Sequence, residues 1–242
     1  MIVLFTDFGL AGPYAGQVKA VLAQEAPAVP VIDLFADAPA GRPKPAAYLL
    51  AAYADWFPAG SVFLAVVDPG VGSERAGIVA ECDGRWYVGP ENGLFELVRR
   101  RARAACSWDI ASSARAPSAS FHGRDLFAPA AAAIARGELP RQAPRLPESG
   151  RRLDWPDDLP EIAYLDHYGN AMTGMRAALL PAAARLAAGG RVLERVRTFS
   201  DVPSGTAFWY ENANGLAEIA VNQGRAAAAL GLAIGSPVAV LA

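Results

Sequence analysis

The residues of this chain that could do chemistry follow one apolar run. Residues 62–67 are apolar and largely β-branched, which is typical of a strand buried on both faces, and Asp68 follows directly. A Pro-Gly-Val-Gly turn comes next, and Arg75 closes the segment. Because ligands of open α/β sheets bind at the carboxyl ends of strands, we take this acid and this cation as candidate functional residues. The alternative is that Asp68 only caps the turn and that Arg75 is a solvated cation.

Two other candidates stand at the ends of predicted elements. Asp7 follows an apolar run at residues 2–6, at the carboxyl end of another predicted strand. His122 is one of only two histidines and comes just before an alanine-rich helix that ends at Gly137. At the start of a helix an imidazole can face a pocket and exchange protons near neutral pH, although a structural role is the alternative.

Two other kinds of site have little support in the sequence. Gly9, Gly12 and Gly16 do not have the G-x-G-x-x-G spacing, and no G-K-[ST] occurs, so a tight turn is favoured over a phosphate loop. The two histidines lie more than 40 residues apart and there is no cysteine pair, so no metal site is predicted.

Composition narrows the class of protein and its partners. The chain has 242 residues, enough for a hydrophobic core without disulfides, and a net charge of -2 without a long basic stripe, so a nucleic-acid partner is not expected. Cys82 and Cys106 read as reduced thiols of a cytoplasmic protein. The N-terminus lacks a basic region, and glycine and proline interrupt the alanine-rich end at residues 226–242, so neither a signal peptide nor a membrane span is predicted.

The pattern of elements predicts two domains. An α/β domain, a Rossmann-like sandwich, is expected at residues 1–138, a linker rich in proline and charge at 139–159, and a small β-barrel domain at 160–242. The N-terminal strands are predicted at 2–6, 29–34, 62–67, 78–82, 86–88 and 105–110, with helices at 14–24, 44–57, 94–101 and 126–137. The C-terminal strands are predicted at 161–165, 191–198, 207–211, 216–221 and 238–241.

Two turns of the C-terminal domain are rich in polar side chains. They are D-H-Y-G-N at residues 166–170 and N-A-N-G at 212–215. These residues are common in turns for conformational reasons alone. Asparagine side chains also offer the donor and acceptor pair that can bind the edge of a purine, so a binding role is the other interpretation.

Five motifs in order resemble those of the S-adenosylmethionine hydrolases, also called SAM hydroxide adenosyltransferases, which are related to the fluorinases and chlorinases. They are TDFG at residues 6–9, VVDPGVG at 66–72 with Arg75, FHGRDLFAP at 121–129, DHYGN at 166–170 and NGLAEIAVN at 214–222. The resemblance covers almost the whole chain.

The resemblance implies hydrolysis of S-adenosyl-L-methionine to adenosine and L-methionine by in-line attack of water on C5′. It implies an N-terminal α/β domain, a C-terminal β-barrel and a homotrimer that binds the substrate between neighbouring subunits. Neither a cofactor nor a metal is implied. Asp68, Arg75 and His122 fill the catalytic positions. The implied substrate-binding residues are Asp7 at the ribose and Phe8, Asp166, Tyr168, Asn170, Phe199, Tyr210, Asn214, Glu218, Val221 and Asn222.

Two other functions are compatible with the same motifs. One is a halide-dependent adenosyltransferase, but the halogenase relatives replace the acid at Asp68 and have serine at the position of Gly123. The other is a protein that binds an adenosyl ligand without changing it. Ala36, Gly41 and Gly174 depart from the hydrolase pattern around the sugar.

Overall fold

The chain forms two compact units. The computed structural model describes residues 1–110, 117–141, 143–146 and 150–241. The first unit is Met1–Arg152 and the second is Leu153–Ala242. Among the described residues, none of the helices combines the length and the apolar character needed to cross a membrane.

A six-stranded sheet is the centre of the N-terminal unit. The strands are β1 (Ile2–Thr6), β2 (Val31–Phe35), β3 (Val62–Val66), β4 (Gly77–Cys82), β5 (Arg85–Pro90) and β6 (Ala105–Asp109). Four of them lie side by side and parallel in the order β2-β1-β3-β5. Strand β4 then pairs antiparallel with β5, and β6 pairs antiparallel with β4. Every residue of β1 and β3 is buried, which confirms the prediction of a strand buried on both faces.

Helices cover both faces of this sheet. They are α1 (Tyr14–Glu25), α2 (Pro43–Tyr53), α3 (Glu96–Arg101) and α4 (Ala128–Ala135), with a π-helical turn at Gly123–Phe127 before α4. Alternate residues of β1 and β3 share one apolar cluster with Val18 and Leu22 of α1 and with Ala128 of α4. On the other face, Phe5 packs against Phe35, and Phe35 packs against Tyr53 of α2.

The order of the strands positions the candidate residues. Thr6 pairs with Val66 in the parallel ladder of β1 and β3, so Asp7 and Asp68 follow adjacent strands at the same edge. The carboxyl end of β5 lies on the other side of β3. This edge is where open α/β sheets place their ligands.

The C-terminal unit contains two antiparallel sheets. One has the order β11-β12-β8-β7 and the other β10-β9-β13. Trp209 and Ile219 lie in the core of this unit and are fully buried. The elements are β7 (Leu159–Leu165), β8 (Ala171–Arg176), β9 (Arg185–Ala188), β10 (Arg191–Leu193), β11 (Ala207–Glu211), β12 (Leu216–Val221), α5 (Ala226–Leu230) and β13 (Ala239–Leu241).

The predicted barrel is not confirmed. Across residues 153–241, only the isolated bridges Glu161–Pro237 and Arg195–Trp209 connect the two sheets, and no continuous ladder closes them. Strands β10 and β13 have three residues each, which is too short to extend a ladder around a barrel. Strand β7 also shifts register twice, between Leu159 and Tyr164.

Part of the predicted linker at 139–159 is bound to the N-terminal unit. The backbone N–H of Arg145 donates to the carbonyl of Ser107 at 2.7 Å. Arg151 Nε and the N–H of Arg152 each donate to Oε2 of Glu96 at 2.9 Å. The last linker residue, Leu159, already belongs to β7.

Candidate active site

Asp68, Arg75 and His122 meet at the carboxyl end of β3. Arg75 Nε donates to Asp68 Oδ1 at 2.8 Å, and the terminal nitrogen Nη2 donates to Oδ2 of the same carboxylate. That terminal nitrogen also lies 3.1 Å from His122 Nδ1. The side chains of Asp68 and Arg75 are 5% and 11% exposed, so Arg75 is not a solvated surface cation.

The loop between β3 and β4 holds Arg75 in place. Ser73 Oγ donates to the carbonyl of Gly70 at 2.7 Å, and Arg75 Nη1 donates to the carbonyl of Ala76 at 3.1 Å. Gly72 has a φ of +81°, and a Cβ there would collide with the carbonyl oxygen of Ala119. The glycine therefore lets this loop pass close to the segment that carries His122.

Phe127 lies against two of these polar side chains, Arg75 and His122. The guanidinium carbon of Arg75 is 5.1 Å from the centroid of its ring, a cation–π distance, and the imidazole of His122 meets it edge-on at 6.4 Å. Phe127 is fully buried and ends the π-helical turn that begins directly after His122. Such turns are frequent at functional sites because they change the direction of side chains within a helix.

The contacts of His122 determine which nitrogen carries its proton. Burial and the neighbouring Arg75 cation hold the pKa of His122 below its ordinary value of 6.5. Because a guanidinium only donates hydrogen bonds, Nδ1 accepts from Arg75, and the neutral ring carries its proton on Nε2. His122 therefore offers a donor to any group on its other side.

Asp7 and Phe8 border this set. Asp7 Oδ2 accepts from the N–H of Gly41 at 2.8 Å, and burial raises the pKa of Asp7 with a further contribution from Asp68. The ring of Phe8 packs against Phe121 at 5.8 Å. A Cβ at Gly123 would lie 3.0 Å from Phe8 Cζ, so this glycine leaves room for the ring.

Arg124 and Asp125, which follow in the same motif, pair with each other. Arg124 donates to both carboxylate oxygens of Asp125, at 2.6 and 2.9 Å, and to Gln17 of α1 at 2.8 Å. The N–H of Ser118 also donates to Asp125. These two residues fix the segment that carries His122.

A cavity of about 660 Å³ lies in the C-terminal unit. Its lining includes eight of the nine residues predicted for this unit. The ninth is Asn222, whose Nδ2 donates to the carbonyl of Val202 at 2.7 Å. The predicted residues are Asp166, Tyr168, Asn170, Phe199, Tyr210, Asn214, Glu218 and Val221. Those that we did not predict are Met172, Asn212, Ala213, Gln223, Gly224 and Arg225.

A buried acid organises this cavity. Glu218 is 2% exposed and accepts from Tyr210 Oη at 2.6 Å and from Asn212 Nδ2 at 2.8 Å. Burial raises the pKa of Glu218. Asp166 accepts from the backbone N–H and the Nδ2 of Asn170, at 2.8 and 3.0 Å. Aromatic walls beside amides and acids suit a flat, polar ligand such as a purine.

Metal-binding residues do not cluster in the part of the chain that the structure describes. No group of three histidine, cysteine, aspartate or glutamate side chains there could hold an ion together.

Comparisons with known proteins match both units to the same protein family. Residues 2–143 match the family model described as the SAM hydroxide adenosyltransferase N-terminal domain, and residues 160–239 match its C-terminal domain. The chain is 42% identical to a protein of Thermus thermophilus named (R)-S-adenosyl-L-methionine hydrolase, over 99% of both chains. It is 36% identical to a Salinispora arenicola protein of the same name, over 98% of this chain and 96% of that one.

A solved structure has the same fold. The crystal structure of an uncharacterized conserved protein from Thermotoga maritima superposes with a TM-score of 0.88 at 30% identity, over the full length of both chains. On these matches, which cover both units, the chain belongs to the SAM hydroxide adenosyltransferase family.

Proposed function

We propose that this protein hydrolyses S-adenosyl-L-methionine to adenosine and L-methionine, by in-line attack of an oriented water on C5′. The observation that carries the proposal is the contact of Asp68, Arg75 and His122 at the carboxyl end of β3. The names of the relatives from Thermus and Salinispora point to the same substrate.

The chemistry needs a placed nucleophile more than an acid. The C5′–S bond breaks with its electron pair moving to sulfur, so methionine leaves as a neutral thioether and needs no proton. The attacking oxygen must lie behind C5′ on the line of that bond, and such positioning can lower a barrier by roughly 7 to 11 kcal/mol. A rigid carboxylate beside a rigid imidazole can hold a water in this way.

Each side chain has a distinct role in this mechanism. Asp68 accepts a hydrogen bond from the water, and Nε2–H of His122 donates one to its oxygen, which leaves a lone pair free for C5′. As the C5′–O bond forms, the proton passes to Asp68 and then to solvent. Arg75 contacts both partners and fixes their separation.

The remaining predicted residues bind the substrate. Asp7 accepts from the ribose hydroxyls, and Phe8 lies beside it. The cavity of the C-terminal unit takes the adenine and the amino-acid tail, with Phe199 and Tyr210 against the flat base. The residues assigned to hydrogen bonds and contacts in this cavity are Asp166, Tyr168, Asn170, Asn214, Glu218 and Val221, with Asn222 supporting the loop at Val202.

We further propose that the active form is a cytoplasmic homotrimer with each site shared by two subunits. In support, the cavity of the C-terminal unit contains no Asp-Arg-His set among its described lining residues, whereas the N-terminal unit carries that set at the carboxyl end of β3. Two free cysteines, Cys82 and Cys106, suit a reducing compartment.

Release of adenosine and methionine by single variants tests the function. Asp68→Ala, Arg75→Ala and His122→Ala should each lower kcat by about 100- to 10,000-fold, because each removes part of the water site. Lys19→Ala is the matched control, because Lys19 pairs with Asp33 at the surface. Full turnover in all three variants would contradict the proposal.

The nucleoside product separates the alternative functions. With chloride or fluoride present, adenosine should remain the product, whereas a halide-dependent transferase would form a 5′-halo-5′-deoxyadenosine of different mass. A protein that only binds the adenosyl ligand would return S-adenosylmethionine intact after long incubation.

A further inference from the structure

The carbonyl of Val67 belongs to the last peptide before Asp68 and lies beyond the end of a ladder. Strand β3 pairs with β5 through Val62–Trp86, Phe63–Tyr87 and Leu64–Val88, and their described register stops there. The next residues of β5, Gly89 and Pro90, have no partner in the described β3 ladder and pair only with β4 on the other edge of β5. Proline has no N–H to donate, so the continuing strand cannot extend the ladder toward Asp68.

Beyond the end of the ladder, the side chain of Asn92 supplies a hydrogen bond to the chain that continues from β3. Its Nδ2 donates to the carbonyl of Val67 at 2.8 Å. Its Oδ1 accepts from the N–H of Leu94 at 3.2 Å, which orients the amide. On the other side of β3, the N–H of Asp7 donates to the carbonyl of Val66 at 3.3 Å. The two peptides before Asp68 are thus held by both neighbouring strand ends.

We propose that Asn92 is a positioning residue for Asp68, which it holds through the Val67 peptide in the orientation that meets Arg75. The inference rests on the proposed function, because it concerns the carboxylate that places the water. Asn92 acts through the backbone and need not touch the substrate. Rotation of the Val67–Asp68 peptide would move the carboxylate, and displacement of a reacting group by about 1 Å costs on the order of 100-fold in rate.

Two variants remove the donor in different ways. Asn92→Asp keeps the shape and the acceptor for Leu94 but sets an oxygen against the carbonyl of Val67. Asn92→Leu removes the polar group without adding a charge near Asp68. Both should lower kcat by about 10- to 100-fold and leave KM within about twofold, because the substrate contacts stay in place.

Arg85→Ala is the matched control for stability. Arg85 Nε donates to the carbonyl of Phe57 at 2.7 Å, so it also joins a side chain to a backbone carbonyl, but it lies at the opposite end of β5. The control should lose thermal stability to a similar extent as the Asn92 variants and keep kcat within about twofold of wild type.

The imidazole signals of His122 give a readout that does not depend on turnover. The chain has only two histidines, so a His167→Asn background leaves those of His122 alone in a ¹⁵N spectrum. Because His122 contacts Arg75 and Arg75 contacts Asp68, movement of the carboxylate should shift these signals in both Asn92 variants and not in Arg85→Ala.

The outcomes separate the two proposals. If wild type is active, kcat within twofold of wild type in the folded Asn92 variants overturns the role of Asn92. If wild type leaves S-adenosylmethionine intact, the proposed function is wrong, and the His122 signals alone test whether Asn92 positions Asp68. Unmoved signals would then overturn the positioning role, and shifted signals would support it.

Discussion

His122 shares its Nδ1 with a side chain that can only donate. Protonation of Nδ1 would set two donors, and two positive charges, against each other at 3.1 Å. The charged and titratable groups around the imidazole are Arg75, Asp68 and Asp125, and burial together with Arg75 outweighs the two acids. At neutral pH the ring is thus a fixed Nε2–H donor.

We predict that His122 titrates below pH 6.5, its ordinary pKa. The unfolded chain binds this proton more readily than the folded chain, so the stability from neutral His122 is complete above about pH 6.5 and is lost as pH falls through the lowered pKa. The pH dependence of the His122 imidazole signals measures this directly, and kcat should decline over the same range. A midpoint at or above 6.5 would contradict the assignment.

The stability contributed by Glu218 changes with pH in the opposite direction to the stability contributed by His122. Burial raises its pKa above the ordinary 4.5, so between the two values the folded chain binds the proton more readily than the unfolded chain. The stability contributed by the protonated carboxyl is complete below about pH 4.5 and is lost as pH rises through the raised pKa. Tyr210 and Asn212 reduce this loss because they donate to the carboxylate.

Replacement Glu218→Gln should therefore become more favourable for folding, relative to wild type, as pH rises. The glutamine keeps an acceptor for Asn212, and the Tyr210 hydroxyl can turn to accept from its amide. Urea unfolding of both proteins between pH 4 and 8 measures the difference. Glu211→Gln, on the neighbouring strand and more exposed, is the control. A stability difference that does not change with pH would refute the prediction.

At the scale of single residues, the sequence identifies groups at the ends of elements better than groups that act through tertiary contacts. Asp68 could be selected because it ends an apolar run. Asn92 could not, because its role depends on a carbonyl 25 positions earlier. Asn212 stands in a turn that we singled out, yet its bond to Glu218 on the strand after that turn was not predicted. Asn222 was predicted to bind the substrate, which stays a prediction, and its bond to the carbonyl of Val202 could not be read from the sequence.

Among the elements, the strands β8 and β9 and the π-helical turn could not be predicted from sequence patterns. Strands β1 and β3 are apolar apart from Thr6, and β11 and β12 are apolar apart from Glu211 and Glu218. All four were predicted within one residue of their bounds. Strand β8 contains Gly174, and half of β9 is alanine, a residue with low strand propensity. Strand β9 exists because β10 and β13 pair with its two edges. Composition gives no signal for the extra residue of a π-turn.

Glu96 of α3 fixes the start of the connection between the units. Its side chain is completely buried and receives Arg100 Nε at 3.1 Å, Arg151 Nε at 2.9 Å and the N–H of Arg152 at 2.9 Å. Burial opposes the ionised form, but these donors outweigh it and lower the pKa of Glu96. The stability from this group is complete above about pH 4.5 and is lost as pH falls through the lowered pKa.

Glu96→Gln should destabilise the protein by roughly 3 to 5 kcal/mol, because it leaves two guanidiniums beside a neutral group. Trypsin cleavage after Arg151 and Arg152 should rise by about tenfold or more as this segment detaches. Urea unfolding and the rate of cleavage measure the two effects. Glu138→Gln, which breaks an exposed pair with Arg136, should change both much less. Equal effects of the two substitutions would show that Glu96 is not an anchor.

At the scale of the whole molecule, the proposal of a site shared between subunits predicts how many intact sites form when two inactive variants are mixed. In a cyclic trimer, each site would combine the N-terminal unit of one chain with the C-terminal unit of its neighbour. Asp68→Ala disables the first contribution and Glu218→Gln weakens the second. Either variant alone lacks an intact site, but a mixed trimer can assemble one from the two undamaged units.

We predict that equal amounts of Asp68→Ala and Glu218→Gln, unfolded and refolded together, regain about a quarter of wild-type activity at low substrate concentration, because one neighbour pair in four combines two intact units. Sedimentation should show a particle of three times the 25.3 kDa chain. A mixture of Asp68→Ala with Arg75→Ala is the control, since both changes lie in the same unit and no pairing restores a site. If the first mixture stays as inactive as this control, each site is built within a single chain, and the shared arrangement is wrong even though the chemistry of Asp68 stands.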